Sequence, residues 1–427
     1  MSNKLPLSEF TLNITDGKHG DCVNEVNSGY YFLSVKDIKQ YNIDYKNARQ
    51  ITEADFIETH KRTKLEKGDI LLANSGHTIG KMLYVRESPF IKKSTFQKSV
   101  AIIKPDSSKV DGSYLFYNLL ANVEGLRRAA VGSAQPNLLL GDLRNFQVSI
   151  EKERPSQVLI SKILSDLDKK IALNNKINTE LESMAKLIYD YWFVQFDFPD
   201  ANGKPYKSSG GKMVYNEALK REIPEGWEVK ELSSILKSNY ASIGKNHSFQ
   251  EIEYLDTGSL TKNVIEGTEN INTMQDKAPS RAKRIVQKND ILYSTVRPKL
   301  CHYGIVKNPI QNMVASTGFV QLTSRIPAIG NDLIYTFLTS SWVTSRLQQI
   351  ATLAVSAYPS ISPNDILELH IALPKDEKLV APINVQLESI YSKVALNQQE
   401  NMALTDLRDW LLPMLMNGQV TIKNTAS

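Results

Sequence analysis

The stretch Lys170-Ile-Ala-Leu-Asn174-Asn-Lys-Ile-Asn178 returns later in the chain as Lys393-Val-Ala-Leu-Asn397-Gln-Gln-Glu-Asn401, an offset of 223 residues. Leu181 and Leu404 keep that offset, and so do Pro136 with Pro359 and Asp142 with Asp365 in the preceding stretches QPNLLLGDLRNFQVSI and YPSISPNDILELHIAL. Still earlier, KGDILLANSG from Lys67 resembles KNDILYSTVR from Lys288 at an offset of 221, so small insertions separate the registers. A period this long means two copies of one structural unit, each a globular segment followed by a long helix.

The first helix is expected over about 157–193, where Ile160, Leu164, Leu167, Ile171, Leu181 and Ile188 alternate spacings of four and three. Leu387, Ile390, Val394, Leu404 and Leu411 repeat that seam in the second copy. Asn174 and Asn178 lie on the first seam, Asn397 and Asn401 on the second. Buried seam asparagines weaken a coiled coil but fix its register and partner. The two helices are therefore expected to pair with each other, antiparallel, as a spacer about 55 Å long.

Outside the helices the pattern changes to short apolar runs, such as Asp69-Ile-Leu-Leu, Met82-Leu-Tyr-Val and Val100-Ala-Ile-Ile, broken by Gly, Asn, Ser and Pro. The fold class expected is α+β (mixed α/β): two duplicated globular domains joined and separated by two long helices. The boundaries follow as a first globular domain at 1–153, a spacer helix at 154–198, a polar connector at 199–225, a second globular domain at 226–375, and a C-terminal helix and tail at 376–427.

Composition narrows the function classes. With 41% hydrophobic and 23% charged residues over 427 positions, the chain is an ordinary globular protein too long for one core. Two cysteines, Cys22 and Cys301, give neither a disulfide scaffold nor a multi-cysteine zinc site, and six scattered histidines form no ligand pattern. No secretory leader or membrane span is read, so a cytoplasmic location is expected. The nearest approach to a phosphate loop, Gly76-His-Thr-Ile-Gly80-Lys81-Met82, is one residue short and lacks the hydroxyl that binds magnesium. No methyltransferase Asn-Pro-Pro or Asp-Pro-Pro tetrapeptide occurs either. A catalytic centre and a metal site are not expected.

Charge points elsewhere. Residues 60–98 carry nine basic and three acidic side chains, a net +6, and residues 276–307 carry eight against two, again +6; the whole chain is only +5. Duplicated basic regions suit phosphate neutralisation, and polar loop tips suit base edges. Three loops per copy are best placed for this. They offer Lys18, His19, Asn74, Ser75, His77, Thr78, Lys81, Gln135 and Asn137 in the first copy, and Lys245, Asn246, Ser294, Arg297, Lys299, Tyr358 and Ser360 in the second. Different tips, SGHTIGK against TVRPKL, should read different short sequences, giving a bipartite, asymmetric double-stranded DNA target. A protein-only scaffold and a fused DNA-modifying enzyme are the competing readings.

Tyr189-Asp-Tyr-Trp-Phe-Val-Gln-Phe-Asp-Phe-Pro199, followed by Gly203-Lys-Pro-Tyr and Ile223-Pro-Glu-Gly-Trp227, resembles the central region of the specificity subunits of type I restriction-modification enzymes. Gly68-Asp-Ile-Leu, the loop at Gly76 to Lys81 and Gln135-Pro-Asn137 are similar to that family's target-recognition loops. The resemblance implies two target recognition domains, helices that dock two modification (methyltransferase) subunits, and association with restriction subunits. Adenosylmethionine, ATP and magnesium would then be bound by those partners and not by this chain.

Overall fold

The structure, a computed structural model, describes residues 4–39, 41–132, 135–244, 249–353 and 359–420. Its contacts divide the chain into two units, 1–173 with 401–427, and 174–400. Each contains one globular segment and part of both long helices.

In the first unit, Val100–Pro105 lies at the centre of an antiparallel sheet ordered Thr11–Asp16, Val100–Pro105, Ile70–Ala73, Met82–Tyr84. The continuous apolar runs at 70–73 and 100–103 are what a sheet covered on both faces requires. Ile70, Leu72, Ala101 and Ile103 face one core with the helix Gly112–Ala121; Leu71, Val100 and Ile102 face another with Leu33 and Phe96. That split follows the two-residue period of a strand. Asp111 caps the helix by accepting from the Tyr114 amide. A smaller sheet sets Tyr31–Leu33 antiparallel to Arg49–Gln50 and parallel to Ser94–Phe96.

The second unit repeats this topology. Its main sheet runs Leu236–Ser238, Phe319–Ser324, Asp290–Ser294, Tyr303–Val306, and its smaller sheet sets Glu251–Leu255 antiparallel to Glu269–Asn272 and parallel to Met313–Ser316, with Ala282–Ile285 added at the edge. The expected mixed helix-and-strand architecture, duplicated and carrying two long helices, is what forms.

The connector stretch 199–225 carries a hairpin, Met213–Asn216 with Arg221–Pro224. The preceding Tyr189-to-Pro199 motif opens as a π-helical turn at Asp190–Val194, and Tyr189, Phe193, Phe196 and Phe198 join Trp227 in the second unit's core.

The long helices are Arg154–Tyr189 and Ala381–Met416. Within the second unit they pair antiparallel: Asn397 Nδ2 donates to Asn178 Oδ1 at 2.7 Å and Asn174 Nδ2 to Glu400 Oε2 at 2.7 Å. Asn174, Asn178 and Asn397 are buried; Asn401 is half-buried at the edge of the seam. Within the first unit the seam differs from expectation at Leu167, which is half-buried while Asp168 is buried. Asp168 accepts from Arg408 (3.0 Å) and from the Tyr117 hydroxyl (2.6 Å), so a charge occupies the position assigned to leucine. At the far end Ala185 and Tyr189 are buried rather than Ile188.

Candidate nucleic-acid interface

In the first unit three separate loops are tied into one surface by backbone hydrogen bonds. Gly76 donates to the Pro136 carbonyl (2.7 Å) and Leu138 to that of Asn74 (2.8 Å), which makes Ser75 and Asn137 bridge partners; the Ser75 hydroxyl adds a bond to Asn137 Oδ1 at 2.9 Å. The third loop is held by Lys18, whose amide donates to the Phe96 carbonyl (2.8 Å) and whose carbonyl accepts from the Lys98 amide (3.2 Å). This approach demands glycine at 17, where a Cβ would lie 2.0 Å from the Phe96 oxygen.

The result is a cleft of about 320 Å³ lined by Asp16, His19, Asn74, Ser75, Lys98, Gln135, Pro136 and Asn137. Five residues chosen from sequence, His19, Asn74, Ser75, Gln135 and Asn137, therefore meet although they lie up to 118 positions apart. Asp16 and Lys98 complete the lining and were not singled out. Asp16 is buried, accepts from His19 at 2.9 Å and pairs with Arg62, so the floor of the cleft holds a neutralised carboxylate. Asp16 is the first residue of the loop Asp16-Gly-Lys-His-Gly20, which was the available signal.

Other chosen residues are committed inside the protein. Lys18 forms ion pairs with Asp55 (2.9 Å) and Glu58 (3.3 Å), the Asp55 bond raising its affinity for its proton. The Lys81 ammonium donates to the Val35 carbonyl at 3.3 Å, and burial lowers its pKa. No helix follows Lys81; the chain enters a strand at Met82. His77 is exposed on the 3-10 turn Gly76–Thr78, and the Thr78 hydroxyl closes that turn on the Ser75 carbonyl (3.1 Å).

The second unit builds the same junction. Arg297 donates to the Pro359 carbonyl (3.0 Å), Ile361 donates to that of Thr295 (2.8 Å), and Val296 bridges Ser360. These positions correspond to Gly76, Pro136, Leu138, Asn74, Ser75 and Asn137 under the repeat offsets. Arg297 and Lys299 are exposed and Ser360 is half-buried, whereas Ser294 is buried and holds the Val296 amide at 3.1 Å. Lys245, Asn246 and Tyr358 lie outside the described residues. Lys307, counted with the basic region, is buried against Asp332 at 2.7 Å. Among the described residues no group of three or more His, Cys, Asp or Glu side chains is placed to hold a metal.

Residues 18–183, which include the whole first junction, match the family described as the type I restriction modification DNA specificity domain. The chain is 25% identical over 400 residues to the MjaIX type I restriction enzyme specificity subunit of Methanocaldococcus jannaschii, covering 92% of this chain and 87% of that one. Residues 18–183 carry that specificity domain, and nearly the whole chain resembles type I restriction enzyme specificity subunits. The HindI specificity subunit of Haemophilus influenzae is 22% identical over 427 residues, spanning 87% of this chain and 90% of its own length. A crystal structure of a type I restriction-modification S subunit from M. genitalium shares the fold, with a TM-score of 0.58 at 15% identity over 97% of this chain and 96% of that one. The resemblance carried by Tyr189 to Pro199 and Ile223 to Trp227 points to the same family, and Tyr189, Phe193, Phe196, Phe198, Ile223 and Trp227 of those stretches are core residues.

Proposed function

We propose that this specificity subunit reads double-stranded DNA and performs no chemistry itself. Each globular domain, 1–153 and 226–375, reads one half of a bipartite, asymmetric target through its loop junction. The observation that carries this reading is the recurrence of one backbone junction in both units with different residues at its tip: Ser75, Gly76 and Asn137 in the first, Val296, Arg297 and Ser360 in the second. A conserved frame with variable tips is how one scaffold addresses two sequences. In the first unit Gln135 and Asn137 offer paired donor and acceptor groups suited to adenine, and Lys98 offers charge to a phosphate.

The helices supply the partner surface. Leu173, Met184 and Leu187 are exposed along one face of the first, and their 223-residue equivalents Leu396, Leu407 and Trp410 are exposed on the second. Two matching apolar stripes suit two copies of one partner, which we assign as two modification subunits. Restriction subunits join that complex, and adenosylmethionine, ATP and magnesium are held by these partners, in the cytoplasm. Among the described residues no helix is long and apolar enough to cross a membrane.

Fluorescence anisotropy of the subunit reconstituted with its modification subunit tests the reading. Affinity for duplex DNA should fall linearly on a log–log plot against salt, by about 0.9 decades per decade of salt for each phosphate neutralised. Gln135→Ala with Asn137→Ala should weaken target binding at least roughly tenfold while sparing random DNA. Salt-insensitive binding, or none, would favour a protein-only scaffold.

A further inference from the structure

We infer that Arg297 reads a guanine in the half-site of the second unit; this rests on the DNA-reading function proposed above. Arg297 and Gly76 occupy the same place in the two junctions. Both have left-handed backbones, with φ of 46° and 68°, both donate to the equivalent proline carbonyl, and both stand at the start of a 3-10 turn, Arg297 just before Pro298–Leu300 and Gly76 as the first residue of Gly76–Thr78. Glycine adopts that conformation without steric cost, while a long side chain is disfavoured there. A residue held in a disfavoured conformation at a binding loop points to a side chain that is needed.

The backbone of Arg297 is fixed on both sides. Its amide is bound to Pro359, its carbonyl accepts from Leu300 at 2.8 Å, and Pro298 behind it is buried. The side chain is exposed, and Lys299 adds a second positive charge on the same turn. At Gly76 a Cβ would meet no atom within 4 Å, so the equivalent position of the first unit also borders open space. A guanidinium on a rigid stem offers a planar fork of donors, and guanine presents the matching pair of acceptors, O6 and N7, in the major groove. Lys299, a point charge on the same turn, suits a phosphate.

Mapping of methylated adenines in cells carrying the subunit with its modification subunit gives the target motif. Arg297→Ala should relax a single guanine in one half of it, with discrimination at that position falling roughly 10- to 100-fold and every other position kept. Arg297→Gly copies the residue and backbone of the first unit and should relax the same base, which separates lost reading from lost folding. Arg297→Lys, retaining charge without the fork, should also lose discrimination. A uniform fall in methylation with an unchanged motif would overturn the inference in favour of a phosphate contact, as would an unaffected motif. Absence of any bipartite motif dependent on the wild-type chain would instead sink the DNA-reading function, and this inference with it.

Discussion

Gly17 shows how much of the first cleft depends on single atoms. Gly17→Ala sets a methyl group against the Phe96 carbonyl, and neither backbone can yield without breaking the bonds that hold Lys18 between Phe96 and Lys98. We expect a loss of about 1–3 kcal/mol in denaturant titrations, and weaker DNA binding because His19 moves with the loop. Asp290 makes a prediction about pH. Burial pushes its carboxyl above the usual carboxylate range, offset in part by bonds from Tyr240, the Gln287 amide and Gln321. The folded state therefore holds this proton more tightly than the unfolded chain. The stability that follows is complete below the unfolded pKa and is lost as pH rises through the folded one. Asp290→Asn, which keeps the shape without the charge, should have its largest advantage over the wild type near pH 7, shrinking as the pH falls towards about 4 when thermal midpoints are compared. Residue identities in the cleft were legible where polar groups sat in Gly- and Pro-bounded loops, as at His19, Asn74 and Gln135. They were not legible where a partner lies far along the chain: nothing near Lys18 in sequence announces Asp55 or Glu58, and Lys307 does not announce Asp332.

The long helices carry the clearest sequence signal and the clearest local error. Repeated asparagines at a shared offset identified the paired seam, because only a fixed register brings Asn178 and Asn397 together. The seven-residue pattern could not tell Leu167 from Asp168, since adjacent positions differ by one step around a helix and a buried carboxylate is costly until a partner is known. Arg408 is that partner, from 240 positions away. Asp168→Ala should cost roughly 3–5 kcal/mol, because it leaves the Arg408 guanidinium buried with only the exposed Asp409 carboxylate and Tyr41 beside it. Asn178→Leu alone should cost about 1–3 kcal/mol by removing the acceptor of the Asn397 amide, whereas Asn178→Leu with Asn397→Leu should come close to neutral. A double-mutant cycle on denaturation midpoints reads this directly: additive losses would mean that the two asparagines act independently.

At the scale of the molecule, duplication is the organising fact, and it was legible because a 223-residue period leaves identical residues at structurally demanding places: the seam asparagines and the proline of each loop junction. What the period could not convey is that the two junctions share backbone bonds while exchanging Gly76 for Arg297, since conformation at those positions is set by contacts with Pro136 and Pro359. On the proposed function, one frame supplies two separate readers. Mapping methylated adenines in cells with and without the Gln135→Ala, Asn137→Ala double substitution tests that claim most directly. We predict a bipartite motif that depends on this chain and loses definition in one half only. Relaxation of both halves together, or a motif indifferent to the substitution, would contradict it.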